Sequence, residues 1–477
     1  MSKKLLFNFN REVIQNYTYV KYVGTIITAT NTLEKPIKSA ILKGQTLVNL
    51  VPQNSGSFNG TRFLRIPLNS IVKANTSYFV KFNLIESSLT NGVTCRFKNT
   101  TTGRTMGGLK SDGIITVDGD GYNIIEFYIT NANDVTNGLD AIVDDIMVIE
   151  YEDSMENWDI PYFTGMTSCK MPVLTTTGKN TLNPNEITFD SSSATNPESY
   201  TYSEGVYTFK NSRSNNQMRF GITKQNASDK ILCEVLEVKD LNGNVTPHQI
   251  AMESSNDKKY WFSIVRPDWG NVGEVKIKLG VDSLEPYKSN ILTTPQDVVL
   301  RGVGKIKDEL NVATGELTQR IGEIVLNGSE NWNKYNVYTQ EGYTAFITTI
   351  ETLNNLYHNT DINFISADFP TGTWHDYRNN LISEFVWNHD PNKIGIRVKN
   401  EIATNVDGIK AFLSANNIKI NYKLATSVVK TVDLSILDQN ENKVSSISSF
   451  NDTTHITASS ETIPPIFEGY LATKEVE

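Results

Sequence analysis

The sequence predicts an all-β protein: tandem antiparallel β-sandwich modules of jelly-roll type, joined by a β-hairpin linker, with very little helix. Three observations carry this expectation. Short apolar runs rich in Val, Ile, Tyr, Phe and Thr recur along the chain, and several alternate with period two. Turn signals fall between them, as in "DGDG" (118–121), "LNGN" (241–244) and "NWNK" (331–334). Helical periodicity is scarce. Short strands at regular spacing are the signature of sandwiches and barrels.

The strand candidates, in order, are 17–32, 76–88, 123–130, 230–238, 258–267 and 274–281. The best helical pattern is "NVDGIKAFLSANN" (405–417), with Asp407 as the expected cap and Ile409, Phe412 and Leu413 on one face.

A chain of 477 residues suggests about three domains. Strand-like runs end in a Pro beside an aromatic at "NWDIPYFTGMTS" (157–168) and "LGVDSLEPYKSN" (279–290), with a weaker echo at "TIPPIFEGYLAT" (462–473). Pro forbids further ladder pairing, so these places read as module exits. The expected organisation is an N-terminal segment (1–45), a first sandwich (46–168), a second (169–290), a hairpin linker (291–330), a third sandwich (331–430) and a C-terminal β segment (431–477). The linker holds the most charged stretch of the chain, 303–332. It reads as two strands around "ATG", with Gly315 supplying the positive φ that a short hairpin loop needs. Leu310, Val312, Leu317 and Ile321 then face inward. Asp308, Glu309, Glu316, Glu323 and Glu330 fall on the wet face among Lys305, Lys307 and Arg320.

Composition excludes several classes. Hydrophobic residues are 39% and charged residues 20%, which is globular. A net charge of −9 and the lack of any Lys/Arg-rich run argue against nucleic acid as partner. Cys95, Cys169 and Cys233 are far apart and include no Cys-x-x-Cys, so they read as small buried thiols. No 18-residue apolar run is present, so no membrane span is expected, and the N-terminal apolar patch is too short for a signal peptide.

No catalytic constellation emerges. The five histidines show no H-E-x-x-H, and there is no G-x-S-x-G elbow or P-loop. Acid pairs such as Asp361 with Asp368, or Asp376 with Glu384, arise by chance among 53 acids. No turnover is expected. One cluster suits ligand contact: "FPTGTWHDYRNNLISEFVWNH" (369–389), where Trp374, Tyr377 and Trp387 could stack on sugar faces. The competing reading places Trp374 and Trp387 in the third module's core.

Several phrases, in order along the chain, resemble modular minor structural proteins of phages and prophages of Gram-positive bacteria, the tail, baseplate and fibre proteins. They are "SAILKGQTLVNLVP" (39–52), "MPVLTTTGKNTLNPNEI" (171–187), "KIKLGVDSLEPYKSN" (276–290), the charged stretch 303–332, and "IGIRVKNEIATNVDGIKAFLSANNIKINYKLATSVV" (394–429). The resemblance implies a virion component assembled in the host bacterial cytoplasm. It implies docking to other virion proteins through residues 1–45, non-catalytic attachment to host cell-wall glycan, and a homotrimer. A capsid-attached head fibre and a soluble carbohydrate-binding or carbohydrate-active protein of a Gram-positive bacterium are the alternatives. Within the first module, "NLVPQNSGSFNG" (49–60) and "AIVDDIMVIE" (141–150) look like the first and last strands of jelly-roll carbohydrate-binding modules. That likeness implies that Asp144 and Asp145 can help hold a structural calcium, an ion that takes six or more oxygens. No other cofactor is implied.

Overall fold

The computed structural model describes residues 17–30, 37–350, 364–372, 384–388 and 392–474, apart from short gaps within these ranges. It is β almost throughout, with antiparallel pairing nearly everywhere. The alternating runs form the strands they predict. In Glu274–Val281, for example, Val275, Ile277 and Leu279 point into a core and the lysines between them point out.

Buried side chains gather into four main bodies, and one of them is discontinuous in sequence. This central scaffold draws on both ends of the chain. Its larger sheet has seven strands, ordered Tyr17–Gly24, Ile466–Lys474, Ile37–Lys43, Glu309–Asn311, Glu316–Leu326, Ile418–Thr431 and Phe364–Ser366. A five-stranded sheet is ordered Ile26–Thr30, Thr453–Ser459, Val173–Thr177, Ser289–Thr293 and Ser435–Asp438. Ala40, Leu42, Leu310, Leu317 and Phe467 of the first share a core with Ile27, Leu174, Leu292, Ile436 and Ile456 of the second. The described parts of 1–45, 291–330 and 431–477 are therefore strands of one scaffold, paired with each other.

Each of the three modules is inserted between neighbouring antiparallel strands of this scaffold. The chain leaves at Thr46–Val48 and returns at Met166–Lys170, with Val48 opposite Met166. It leaves again at Val173–Thr177 and returns at Ser289–Thr293, with Thr177 opposite Ser289. It leaves a third time along Glu316–Leu326 and returns along Ile418–Thr431, with Leu326 opposite Ile418.

The first module is an eight-stranded jelly roll. Counting its strands along the chain, one sheet runs sixth, third, eighth, first, and the other runs second, seventh, fourth, fifth. The two Greek keys this implies enclose a core of Phe58, Ile66, Val80, Phe97, Phe127 and Val148. The second module repeats the wiring with fewer strands. Its last strand, Glu274–Val281, lies between Val206–Lys210 and Ile231–Lys239, and Lys259–Val265 lies between Gln217–Thr223 and Gln249–Ser255. A buried asparagine clamps the start of each module to its last strand. Asn49 Oδ1 accepts from the Val51 and Val148 amides, and its Nδ2 donates to the Ile146 and Phe163 carbonyls. Asn180 does the same with the Leu182 and Val281 amides and the Leu279 and Glu285 carbonyls.

Among the described residues, the third module packs a five-stranded sheet and one helix against the far ends of the two long scaffold strands. The helix, Val406–Asn416, buries Ile409 and Leu413 as its periodicity predicts. Its cap is Asn405, whose side chain accepts from the Gly408 amide at 2.8 Å, and not Asp407, which sits in the first turn. Asn417 ends the helix in the left-handed conformation.

Candidate functional site

The charged stretch around 303–332 resolves into a joint built on a buried acid. The hairpin turns at Gly315, φ +70°, and Leu310, Val312, Leu317 and Ile321 are buried as expected. Asp308 departs from the wet-face expectation, because it is completely buried. Its carboxylate accepts from three backbone amides: Arg301 at 2.9 Å, Arg320 at 2.6 Å and Ile321 at 2.9 Å. Burial pushes its pKa up, against the pull of those amides. Both carboxylate oxygens accept from the protein's own backbone, and the side chain is sealed from solvent, so this acid staples the scaffold.

The aromatic cluster of the third module divides. Trp374 and Tyr377, with Asp361 and Asp376, lie outside the described residues. Trp387 is fully buried, packed against Tyr338 and Phe385. Its indole covers Gly395 on the paired strand, where an added Cβ would sit 2.1 Å from the ring. Trp387 is therefore core, which corrects its expected ligand-contact role; counting aromatics in a segment does not tell which face of the strand they take. Asp368 and Glu384 are described. Glu384 accepts from the Lys399 amide and lies 3.4 Å from the Lys399 ammonium.

Asp144 and Asp145 occupy a β-bulge in the last strand of the jelly roll. Asp145 has φ +50° and accepts from Asn83 Nδ2 at 2.8 Å. Among the described residues no third acidic, histidine or cysteine side chain joins them. As they stand they fall short of the oxygen set a calcium ion takes, and the bulge accounts for their adjacency.

The outer face of the jelly roll's second sheet carries a site that the sequence did not flag. Strands Phe63–Pro67, Ile124–Ile129 and Val93–Lys98 are neighbours. Their outward residues form three cross-strand rows: Phe63, Tyr128 and Thr94; Arg65, Glu126 and Arg96; Pro67, Ile124 and Lys98. Glu126 lies at the centre, fully buried although it sits on the outer face. Arg65 reaches it at 2.6 Å, Arg96 at 2.6 Å and Lys98 at 3.2 Å. Burial alone would raise the Glu126 pKa, but these three cations outweigh it and hold the carboxyl below its usual range. The two arginines also stack on rings: Arg96 lies 4.5 Å above Tyr128, and Arg65 lies 5.1 Å from Phe63. Three cations meet one carboxylate, so this face is locally positive on a chain of net charge −9. Period-two alternation in Phe63-x-Arg65 and Arg96-x-Lys98 marks the outward residues, but only the strand order brings them together.

Trp269 is 81% exposed at a turn in the second module, where its φ is +59°. Arg266 braces the turn through Asp268 and the Asn271 carbonyl.

The geometry thus defines an all-β protein of three modules on a shared scaffold, with a basic, aromatic face on its jelly roll. No family model and no curated protein matches the sequence. Among solved structures, the chain is similar at 7% identity to a DUF4785 family protein from Legionella pneumophila, over 95% of this chain and 96% of that one, with a TM-score of 0.14. No helix among the described residues is long and apolar enough to cross a membrane.

Proposed function

We propose that this chain is a structural protein of a phage particle, of the tail, baseplate or fibre. It contributes to host attachment by non-catalytic binding of anionic cell-wall glycan. The observation that carries the binding role is the Arg65–Glu126–Arg96 row. Guanidinium groups held over rings by a buried carboxylate present donors and an apolar platform together, the combination that suits charged sugar polymers. The virion assignment is supported by the ordered phrases in the sequence. Homotrimeric assembly belongs to the same reading. A single weak face gains useful grip only in several copies, and docking to the particle falls to residues 1–45.

The test has two arms. Mass spectrometry of purified particles should detect the polypeptide. Sedimentation with isolated Gram-positive walls should remove the trimer from solution, and walls stripped of their anionic polymers should not. Binding to stripped and intact walls alike would refute the anionic-glycan role, and a chain absent from particles would refute the virion role.

A further inference from the structure

The second module carries a cation face of its own, in the position where the jelly roll carries its arginine row. In the jelly roll, Glu126 sits on the penultimate strand, on the outer face of the sheet that lacks the last strand. The penultimate strand of the second module is Lys259–Val265, again in the sheet that lacks the last strand. Its residues Tyr260, Phe262 and Ile264 belong to the module's core, as do Met218, Phe220 and Ile222 of the neighbouring strand. Lys259, Trp261 and Ser263 therefore face outward, opposite Thr223, Gly221 and Arg219.

Trp261 lies flat across the neighbouring strand. A Cβ added at Gly221 would meet its ring at 2.3 Å, so the glycine is what lets the indole lie down, and the backbone beneath fixes it. Arg219 and Lys259 flank the ring along the sheet. The Arg219 guanidinium carbon and the Lys259 ammonium each lie 5.0 Å from the ring centre.

The two faces differ in one respect. The jelly-roll cations converge on Glu126, whereas Arg219 has Ser263 opposite it. Among the described residues no carboxylate lies within ion-pair distance of Arg219, and its side chain makes no hydrogen bond. Its Nε is sealed, but its two terminal nitrogens are not. Their N–H groups are thus uncommitted at the surface, and the charge of Arg219 is not neutralised within the face.

We propose that this face is a second glycan contact. An oxyanion of an anionic wall polymer, a phosphodiester or a uronate carboxylate, accepts from the terminal nitrogens of Arg219 and neutralises the cations gathered over Trp261. The fixed indole holds the guanidinium plane, so the ligand meets a donor fork whose orientation is already set. The polymer class rests on the function proposed above, but the site does not depend on the jelly-roll row.

The test is calorimetric titration of the full chain with short oligomers of poly(glycerol phosphate), of a polyuronate and of neutral dextran. Preference between the first two identifies the oxyanion. Equal binding of dextran, or no binding by either acidic oligomer at tens of millimolar, overturns the proposal. Variants separate the two faces. In an Arg65→Gln background, which disrupts the jelly-roll row, adding Arg219→Gln should weaken the remaining binding at least about tenfold, as the loss of charge-assisted hydrogen bonds implies. If Arg65→Gln alone removes all binding, or Arg219→Gln adds no further loss, the second site is overturned and the first is untouched. If Arg65→Gln changes nothing while Arg219→Gln does, the second site stands and the jelly-roll reading fails. A readout that needs no variant is modification of Arg219 by a dicarbonyl reagent, followed by peptide mass spectrometry. Saturating acidic oligomer should slow it at least about fivefold by covering the terminal nitrogens, and an unchanged rate overturns the site.

Discussion

Removing the Asp308 carboxylate tests how the scaffold joint is held. Asp308→Ala orphans the amides of Arg301, Arg320 and Ile321 in a place that water reaches poorly. Each buried, unsatisfied amide costs about 1–3 kcal/mol. The substitution also removes a charge that burial disfavours, as the raised pKa of Asp308 shows. The net loss should therefore fall near the low end of the sum, about 3–5 kcal/mol. At about 1.4 kcal/mol per factor of ten, the three amides should lose on the order of a hundredfold or more of their protection from hydrogen exchange. Amides in the second module, such as that of Phe262, should keep theirs. Asp308→Asn sharpens the test. Its Oδ1 can still serve Arg320 and Ile321, but its amide nitrogen would confront the Arg301 N–H. Protection should then fall at Arg301 and persist at the other two. Unchanged exchange at all three amides in Asp308→Ala would refute the staple and show that other contacts hold the hairpin.

Four further outcomes are expected. Glu126→Ala should destabilise the jelly roll by about 1.5–3 kcal/mol, the worth of charge-assisted hydrogen bonds, and no more, because the cations left behind reach solvent; chemical denaturation reads the change. The folded pKa of Glu126 is depressed, so its contribution is complete above the ordinary glutamate value of 4.5 and is lost as pH falls towards the folded value; a wild-type stability profile without that acid-side loss, relative to Glu126→Gln, would contradict the assignment. Gly395→Ala should cost about 1–3 kcal/mol by driving a methyl into the Trp387 ring, while Trp387→Ala should cost about 3–5 kcal/mol, both measured as unfolding of the third module. Trp269→Ala should leave melting unchanged, and a fluorescence shift of Trp269 on adding wall glycan would mark the second module as a further contact.

Local structure was legible in this sequence and long-range assembly was not. The hairpin around Gly315, the strand alternation and the inward residues Ile409 and Leu413 all follow from spacing over a few residues. The scaffold depends on pairings such as Tyr17 with Lys474, which no window along the chain can contain. That is why three stretches that read as separate segments, 1–45, 291–330 and 431–477, supply strands to one scaffold. Trp387 illustrates the same limit at one residue: its neighbours in sequence suggest a loop, and its partner Gly395 shows a core. The arginine face was half visible, as alternation within each strand, and needed the jelly-roll order to become a grid. Asn49 and Asn180 each stand two residues before a buried aliphatic, a local cue to the clamp that both modules share.

The hairpin insertions have a mechanical consequence. A tensile load on the second module draws Val173–Thr177 and Ser289–Thr293 in the same direction. The ladders that hold this pair, to Thr453–Ser459 on one side and Ser435–Asp438 on the other, lie across the pull. Their hydrogen bonds are sheared together and must fail almost at once. A load applied at Tyr17 and Lys474 meets the opposite geometry, because these residues face each other at one end of an antiparallel pair and would peel apart one rung at a time. The scaffold is thus stiff towards forces arriving through the second module and compliant towards forces that separate its outermost strands.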